Sequence, residues 1–445
     1  MPTLLPHQQE AVSYLASLKP SRAILADDIG LGKTATSIAW AETVTGSTAL
    51  TPKILVVCPK SLIPQWQSEV ERFAQNPYAF AYINYESLHK VNFFPTTMIC
   101  DEATAIKSPT AKRTQLTVHF AKHCQNVLFL TATPIRNNEA DLFTMFYCLP
   151  YSFLQSSHSG DPATDLVRSY KDFVAAYFHV RRINIDGRTI EKVSGIKSSG
   201  RQILSELLET RIVRRTKALL NLPPFSREYM AVNFAPGQEA IYNDVLSDII
   251  RMEDDETREI PNFLARMTRL RQAVLSPSLF GGKAVSGKLD WLKENVPNLS
   301  RPCLIFTNYA QFAKLVHDSF PGSVLLIGEM DSSTRQASIS AFMEGRSDVF
   351  ILSASAGGFG LNLQRAEVVI WTDLPWTPDV WQQGTGRAHR QGQENPVHEI
   401  VLGIPRTVDR VIVELLRSKK KCASEVDAMI YVADRLRKMN QERSA

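Results

Sequence analysis

The chain has 445 residues, 44% of them hydrophobic and 21% charged, with a formal net charge of +5. That length is too great for one ordinary core and predicts about two to three domains; the balance excludes global disorder, and the slight positive excess permits a polyanionic partner without requiring one. The six cysteines, at 58, 100, 124, 148, 303 and 422, are scattered with no Cys-x-x-Cys pair, which speaks against a disulfide framework or zinc site and points to a reducing compartment.

The opening "MPTLLPHQQE" lacks a basic segment followed by an apolar one, and no later run reaches transmembrane length, so a soluble intracellular protein is expected. Four short apolar runs follow as candidate buried strands: "AILAD" (23–27), "KILVVCP" (53–59), "TMICDE" (97–102) and "VLFLTAT" (127–133). Helix-length segments such as "SLIPQWQSEVERFA" separate them, the pattern of a parallel α/β sheet. From about 150 to 290 the periodicity turns helical, as in "DLVRSYKDFVAAYF", "RQILSELLETRIVRRTKALL" and "FLARMTRLRQAVL". The acidic run "MEDDETRE" (252–259) within it reads as a solvated loop or helix face. A second set of strands then appears at 302–308, 323–328, 348–355, 367–375 and 397–403, and one or two amphipathic helices follow residue 415. The fold class predicted is α/β: two sheet-based lobes with helical material between them, and a site where their strands end.

The strongest local signal is "ILADDIGLGKTATSIAW". A strand runs into Gly30-Leu31-Gly32-Lys33-Thr34 and then into a helix. The glycines let backbone N–H groups approach phosphate oxygens, and the helix N-terminus adds its positive end. Lys33 would reach the β- and γ-phosphates and the Thr34 hydroxyl would sit on Mg²⁺. Asp27 stands where the usual phosphate-loop pattern has its first glycine. "TMICDEATAIK" ends a strand with Asp101-Glu102, where one carboxylate can hold Mg²⁺ and the next can orient or deprotonate the attacking water.

Near the end, "GTGRAHRQGQ" (384–393) sets Arg387 and Arg390 three apart, on one face if the segment is helical. Two guanidinium forks beside flexible backbone suit an anion; an Arg/Gly-rich nucleic-acid patch is the alternative. His389 between them is expected to hydrogen-bond within the same motif. His119, His123 and Cys124 have a spacing able to ligate metal on a helix, but without a second ligand pair a plain helix face is expected. Trp66, Trp371 and Trp381 read as packed core more readily than as base-stacking groups.

These residues and their order resemble the Swi/Snf-type ATPases of helicase superfamily two. "LLPHQQEAVSYL", "DDIGLGKT", "VVCPKSLIPQWQSEVERF", "CDEATAIKSPTAKR", "LFLTATPIRNN", "LLETRIVRRTKALLNLPP", "RLRQAVLSP", "SGKLDWL", "CLIFTNY", "SASAGGFGLNLQRAEVVIWTDLPWTP" and "QQGTGRAHRQGQ" follow one another as that family's motifs do. The stretch before "LNLP" is also similar to the annealing-helicase subgroup. Thr104 and Arg136 depart from the family's usual residues, where they could alter the coupling of hydrolysis to movement.

The resemblance implies two RecA-like lobes: 1–150 as the ATP-binding lobe, 151–235 as a helical insertion and bridging segment completing it, 236–285 as a helical linker, 286–415 as the second lobe and 416–445 as a helical tail. It implies ATP held by Gln8, Asp28, Gly30, Leu31, Gly32, Lys33, Thr34 and Ala35, with Gly360 and Gln383 from the second lobe. Mg²⁺ would lie on Thr34 and Asp101, and catalysis would fall to Lys33, Asp101, Glu102 and two arginine fingers, Arg387 and Arg390. A guanidinium brought to the transferring phosphate contributes roughly 10³–10⁵ in rate. Lys60, Ser61, Lys107, Lys112, Arg113, Asn308 and Trp376 become candidate contacts to double-stranded DNA, bound without sequence specificity. The expected activity is ATP-driven translocation along duplex DNA that remodels DNA or protein–DNA complexes. A strand-separating DNA or RNA helicase is the alternative, and a non-enzymatic DNA-binding scaffold a third reading. Protein partners would supply targeting, a monomer is favoured, and no membrane is involved. Its size suits a bacterial or viral source, hence a cytoplasmic or nucleoid-associated place, or the nucleus in a eukaryote.

Overall fold

The structure, a computed structural model, describes residues 2–46, 51–132, 139–150, 162–185, 188–250, 260–357, 361–418 and 425–444. Gly360, Arg136, Cys422 and the acidic run 252–259 lie outside the described residues. The chain divides into two compact units, Met1–Asn221 and Leu222–Ala445. Among the described residues each carries a six-stranded sheet, and no helix there is long and apolar enough to cross a membrane.

In the first unit the strands are β1 (Arg22–Leu25), β2 (Ile54–Val57), β3 (Phe80–Ile83), β4 (Thr97–Cys100), β5 (Asn126–Leu130), β6 (Phe178–Ile185), β7 (Arg188–Ile196) and β8 (Ile212–Val213). The sheet runs β3-β2-β4-β5-β1-β8 with every neighbouring pair parallel. Alternation along the strands feeds two cores. Leu55, Val57, Met98, Cys100, Val127 and Phe129 face one, while Ile54, Val56, Ile99, Leu128 and Leu130 face the other. Burial on both faces is why these strands read as unbroken apolar runs.

The second unit holds β9 (Phe225–Ala231), β10 (Cys303–Thr307), β11 (Val324–Leu326), β12 (Val349–Ser353), β13 (Val368–Trp371) and β14 (Val397–Gly403). Their order is β11-β12-β10-β13-β14-β9, again all parallel. Leu304, Phe306, Phe350, Leu352, Val369 and Trp371 enter one core, and Cys303, Ile305, Ile351, Val368 and Ile370 the other.

The region expected to be helical from 150 to 290 contains three further features. β6 and β7 pair as an antiparallel hairpin; the sequence carries a hairpin signal there, an Asp-Gly pair at 186–187 between two β-branched stretches, which the expectation of helix did not take up. β8 interrupts a run read as continuous helix, because Ile212 and Val213 pair with Ile24 and Leu25. β9 joins the second sheet, Phe225 to Ala231 lying in register with Val397 to Gly403. Residues 222–235 therefore go with the second unit rather than completing the first. The expected linker, 236–285, is packed: Tyr242, Leu246, Ile249, Met267 and Leu270 share a core with Trp371. Ala428, Val432, Ala433 and Leu436 of the tail enter that core too. Apolar faces on these helices decide the matter, since each has a sheet face to cover.

Candidate nucleotide site

All strands of the first sheet point one way, so the loops after β1, β2 and β4 leave the same edge, with only β5 between β1 and β4. After β1 the chain passes Asp27 and Asp28 and turns at Gly30 (φ 94°) and Gly32 (φ 79°), where a side chain would be strained. The helix Lys33–Thr45 begins there with no side-chain cap, leaving its first-turn N–H groups available to an anion. The Lys33 amine turns inward, donating to the carbonyl oxygens of Asp27 at 2.7 Å and Asp28 at 3.3 Å. Burial pushes its pKa below the ordinary value against the pull of the Glu102, Asp101, Asp27 and Asp28 carboxylates. Thr34 is half-buried and Leu31 and Ala35 are buried beside it. Gln8 is buried and spans the loop, its Oε1 accepting from Leu5 N at 2.9 Å and its Nε2 donating to Leu31 O at 3.1 Å.

What holds this loop was not visible in the sequence reading. Asp27 is wholly buried and takes Arg215 Nε and Arg215 N on Oδ1, each at 3.0 Å, with a second guanidinium nitrogen on Oδ2. The same guanidinium reaches the His7 carbonyl. Asp28 donates its N–H to Arg215 O at 2.9 Å and accepts Lys217 N on Oδ2 at 3.0 Å. The segment after β8 thus grips Asp27, which replaces the expected loop glycine, and its neighbour Asp28, and a buried carboxylate demands such a partner. The one sequence clue was the cluster "RIVRRTK".

At the tip of β4, Asp101 Oδ1 accepts Glu102 N at 2.8 Å and Oδ2 accepts Trp66 Nε1 at 2.9 Å. Tyr85 donates its hydroxyl to Asp101 O at 2.6 Å. Trp66 is 1% exposed, core as expected, but its indole N–H also orients this carboxylate. Glu102 sits at φ 48°, ψ 50°, a left-handed conformation that costs a non-glycine residue about 1 kcal/mol or more and gathers at functional positions.

In the second unit the helix Pro378–Thr385 stops before the arginines. Arg387 and Arg390 therefore lie in turns and do not share a helix face. Arg387 is buried; Arg390 is half-buried and donates to Leu361 O at 3.1 Å. Gly384 lets that helix lie on Trp371, since a Cβ there would come within 2.5 Å of the indole. Gln383 is buried in the same helix. His389 donates its backbone N–H to Thr385 O within the motif at 3.2 Å, while its Nε2 lies 2.9 Å from Pro223 O outside it, because β9 lies alongside. Buried Glu399 on β14 gathers Arg227, Trp381 Nε1 and Thr385 Oγ1 around the helix.

The nucleic-acid candidates divide. Lys60, Ser61, Lys107, Lys112 and Arg113 are all exposed and follow β2 or β4, with Arg113 3.5 Å from Glu86. Trp376 and Asn308 are otherwise engaged. Trp376 is 7% exposed with the Arg271 guanidinium 4.6 Å over its ring. Asn308 donates its amide to Asp373 Oδ2 at 2.6 Å and Asp373 O at 3.1 Å. Both serve the buried Arg271–Asp373 pair (2.8 Å), whose charges require that many partners. His119 and His123 lie with ring centroids 4.6 Å apart and tilted by 50° on an exposed helix face, and no group of three or more His, Cys, Asp or Glu able to hold a metal occurs among the described residues.

The family model for the SNF2-related domain matches residues 7–87 and 78–279, and that for the helicase conserved C-terminal domain matches 287–392. The chain is 27% identical to YwqA of Bacillus subtilis, a protein named as an ATP-dependent helicase/translocase, over 95% of this chain and 49% of that one. It is 26% identical to the mouse SWI/SNF-related matrix-associated actin-dependent regulator of chromatin subfamily A member 1, over 94% and 43% respectively. The chain spans about half or less of the length of these relatives. Among solved structures it is similar to a Sulfolobus solfataricus SWI2/SNF2 ATPase core in complex with dsDNA, at 25% identity and a TM-score of 0.42, covering 98% of this chain and 97% of that one.

Proposed function

The chain belongs to the family of SNF2-related domains, and from that premise we propose that it hydrolyses ATP to move along double-stranded DNA, remodelling DNA or protein–DNA complexes without sequence specificity. The observation that carries this is the inward-turned Lys33 amine at an uncapped helix N-terminus, among the carboxylates of Asp101 and Glu102. An amine already seated on two carbonyl oxygens fits a site for phosphate and Mg²⁺. Lys33, Thr34 and the first-turn N–H groups would hold the phosphates, and Thr34 with Asp101 would hold the metal. When bound, Mg²⁺ neutralises phosphate charge.

Within the proposal each residue has one task. Gln8 steadies the loop through Leu31 and reads the base. Asp101, aimed by Trp66, keeps its carboxylate in one orientation. Glu102 orients the attacking water and accepts its proton. Arg387 and Arg390 are the second unit's contribution of positive charge to phosphoryl transfer. Lys60, Ser61, Lys107, Lys112 and Arg113 make phosphate contacts that set register without reading bases.

The test is ATP turnover by the purified chain against duplex DNA, single-stranded DNA and RNA at fixed salt. Duplex DNA should stimulate, and Lys33→Ala should abolish the activity. Stimulation by single strands or RNA alone would turn the reading toward a strand-separating helicase. Unchanged turnover in Lys33→Ala would remove the site.

A further inference from the structure

The carboxylates proposed to serve metal and water belong to neighbouring residues, and the peptide bond that joins Asp101 to Glu102 is held at both polar ends. Its carbonyl oxygen, Asp101 O, accepts the Tyr85 hydroxyl at 2.6 Å, and its N–H, on Glu102, is donated to Asp101 Oδ1 at 2.8 Å. A peptide is a rigid plane, so a latch on each end fixes the direction in which the chain enters Glu102.

Glu102 requires such a latch. With φ 48° and ψ 50° it is one of two non-glycine residues at positive φ among the described residues. Strained backbone of this kind persists only where its surroundings over-determine it. On the far side, Ala105 N donates to Glu102 O at 2.9 Å. On the near side, the Asp101 carboxylate already accepts Trp66 Nε1 at 2.9 Å and is also the group proposed to hold Mg²⁺. Its grip on the Glu102 N–H is thus shared with other tasks. The Tyr85 hydroxyl grips the opposite end of the plane.

Tyr85 comes to this point from another strand. It begins the short 3-10 helix Tyr85–Lys90 that follows β3, where Asn84 Oδ1 caps the first turn by accepting Ser87 N at 2.9 Å. β2 stands between β3 and β4, so the tyrosine side chain reaches past β2 to the tip of β4. Its ring is 2% exposed and shares a core with Leu88, Cys100, Ala103 and Ile106. A phenylalanine would fill that core without making the bond.

We propose that Tyr85 is a positioning residue for hydrolysis: its hydroxyl locks the Asp101–Glu102 peptide so that Glu102 keeps the left-handed backbone from which its carboxylate meets the attacking water. This rests on the reading of Glu102 as the group that orients the water and accepts its proton. Trp66 then aims the Asp101 side chain, and Tyr85 the backbone that follows it.

The test is Tyr85→Phe in the full chain. ATP turnover at saturating duplex DNA should fall roughly tenfold to a hundredfold, the cost of a misplaced reacting group. Affinity for a fluorescent ATP analogue, the Mg²⁺ concentration for half-maximal turnover and the thermal midpoint should stay as in the parent chain. Hydrogen exchange of the backbone amides from Glu102 to Ala105 in the ligand-free chain should quicken roughly tenfold. In the Glu102→Gln background, single-turnover measurement of the slow residual hydrolysis should show no further loss from Tyr85→Phe, because residues acting as one unit are not additive. Unchanged turnover, unchanged exchange, a full further loss on the Glu102→Gln background, or an equal fall in ATP or Mg²⁺ affinity would each overturn the proposal and leave Tyr85 as packing. If Glu102→Gln itself turns over at the full rate, the fault lies in the reading of Glu102, and the proposal falls with it. If Glu102→Gln is slow while Tyr85→Phe is not, Tyr85 alone is misassigned.

Discussion

Arg215 follows Asp27 by 188 residues and closes on its carboxylate, Nε to Oδ1 at 3.0 Å, while its guanidinium also reaches the carbonyl of His7. One side chain therefore ties together the first helix, the phosphate loop and the strand β8 added at the end of the first unit. Arg215→Ala leaves the Asp27 carboxylate buried without its counter-charge. Breaking such a pair costs about 3–5 kcal/mol, so urea unfolding should show the first unit melting early and ATP turnover falling with it. Arg215→Lys should recover only part of both, because an ammonium cannot reproduce the fork.

Lys33 gives a prediction with a defined sign. Its pKa is lowered in the folded chain by burial, so between that lowered value and its ordinary value of 10.5 the unfolded chain binds more protons. Stability of the ligand-free protein should therefore gain from this group as pH rises through that window. Lys33→Met should lack this gain and be the more stable form at neutral pH, while having no ATP turnover. Thermal unfolding of both forms across pH checks it; parallel curves would contradict the assignment.

Trp66→Phe keeps the buried ring but removes the N–H that holds Asp101 Oδ2. Loss of a hydrogen bond to a carboxylate is worth about 1.5–3 kcal/mol, and partners of metal ligands typically matter about 10–100-fold in metal affinity. The Mg²⁺ concentration needed for half-maximal turnover should rise by that order with little change in unfolding temperature.

Among the exposed basic residues, Lys60→Ala and Lys112→Ala should each weaken duplex binding uniformly across sequences. Each should lower the slope of log affinity against log salt by about 0.9 if one phosphate contact is lost. Trp376→Ala should instead destabilise the second unit, because its ring is core and carries Arg271. Salt titrations beside thermal unfolding separate the two outcomes.

Gly384→Ala places a methyl group 2.5 Å from the Trp371 ring. Overpacking of this kind costs about 1–3 kcal/mol, and here it would lift the helix that carries Gln383 and leads to Arg387. A lowered unfolding midpoint of the second unit is expected, with turnover reduced in parallel.

Much of this protein was legible along the chain because its signals are local. Parallel strands buried on both faces are contiguous apolar runs, so β2, β4 and β10 to β14 each lay within a stretch read as a strand, and β1 and β5 began one residue before theirs. The glycine-lysine-threonine loop and the Asp101-Glu102 pair are short spacings whose chemistry follows from the residues themselves. The hairpin β6–β7 was equally local in its Asp-Gly pair, which went unread within a region taken as helical. β3 went unread among short polar segments.

The order of motifs and the identity of the residues proposed to bind phosphate were thus determined by sequence alone. The partnerships that position them were decided only by tertiary structure. Asp27 with Arg215, Asp101 with Trp66, Asn308 with Asp373 and Gly384 with Trp371 are each set by which strands lie side by side and which helix covers them. β8 is two residues long, too short for any periodicity, and exists because β1 offers it an edge. A spacing of residues can name a chemical group, but the partners of a buried charge or a crowded ring come from distant parts of the chain, and only packing brings them within reach.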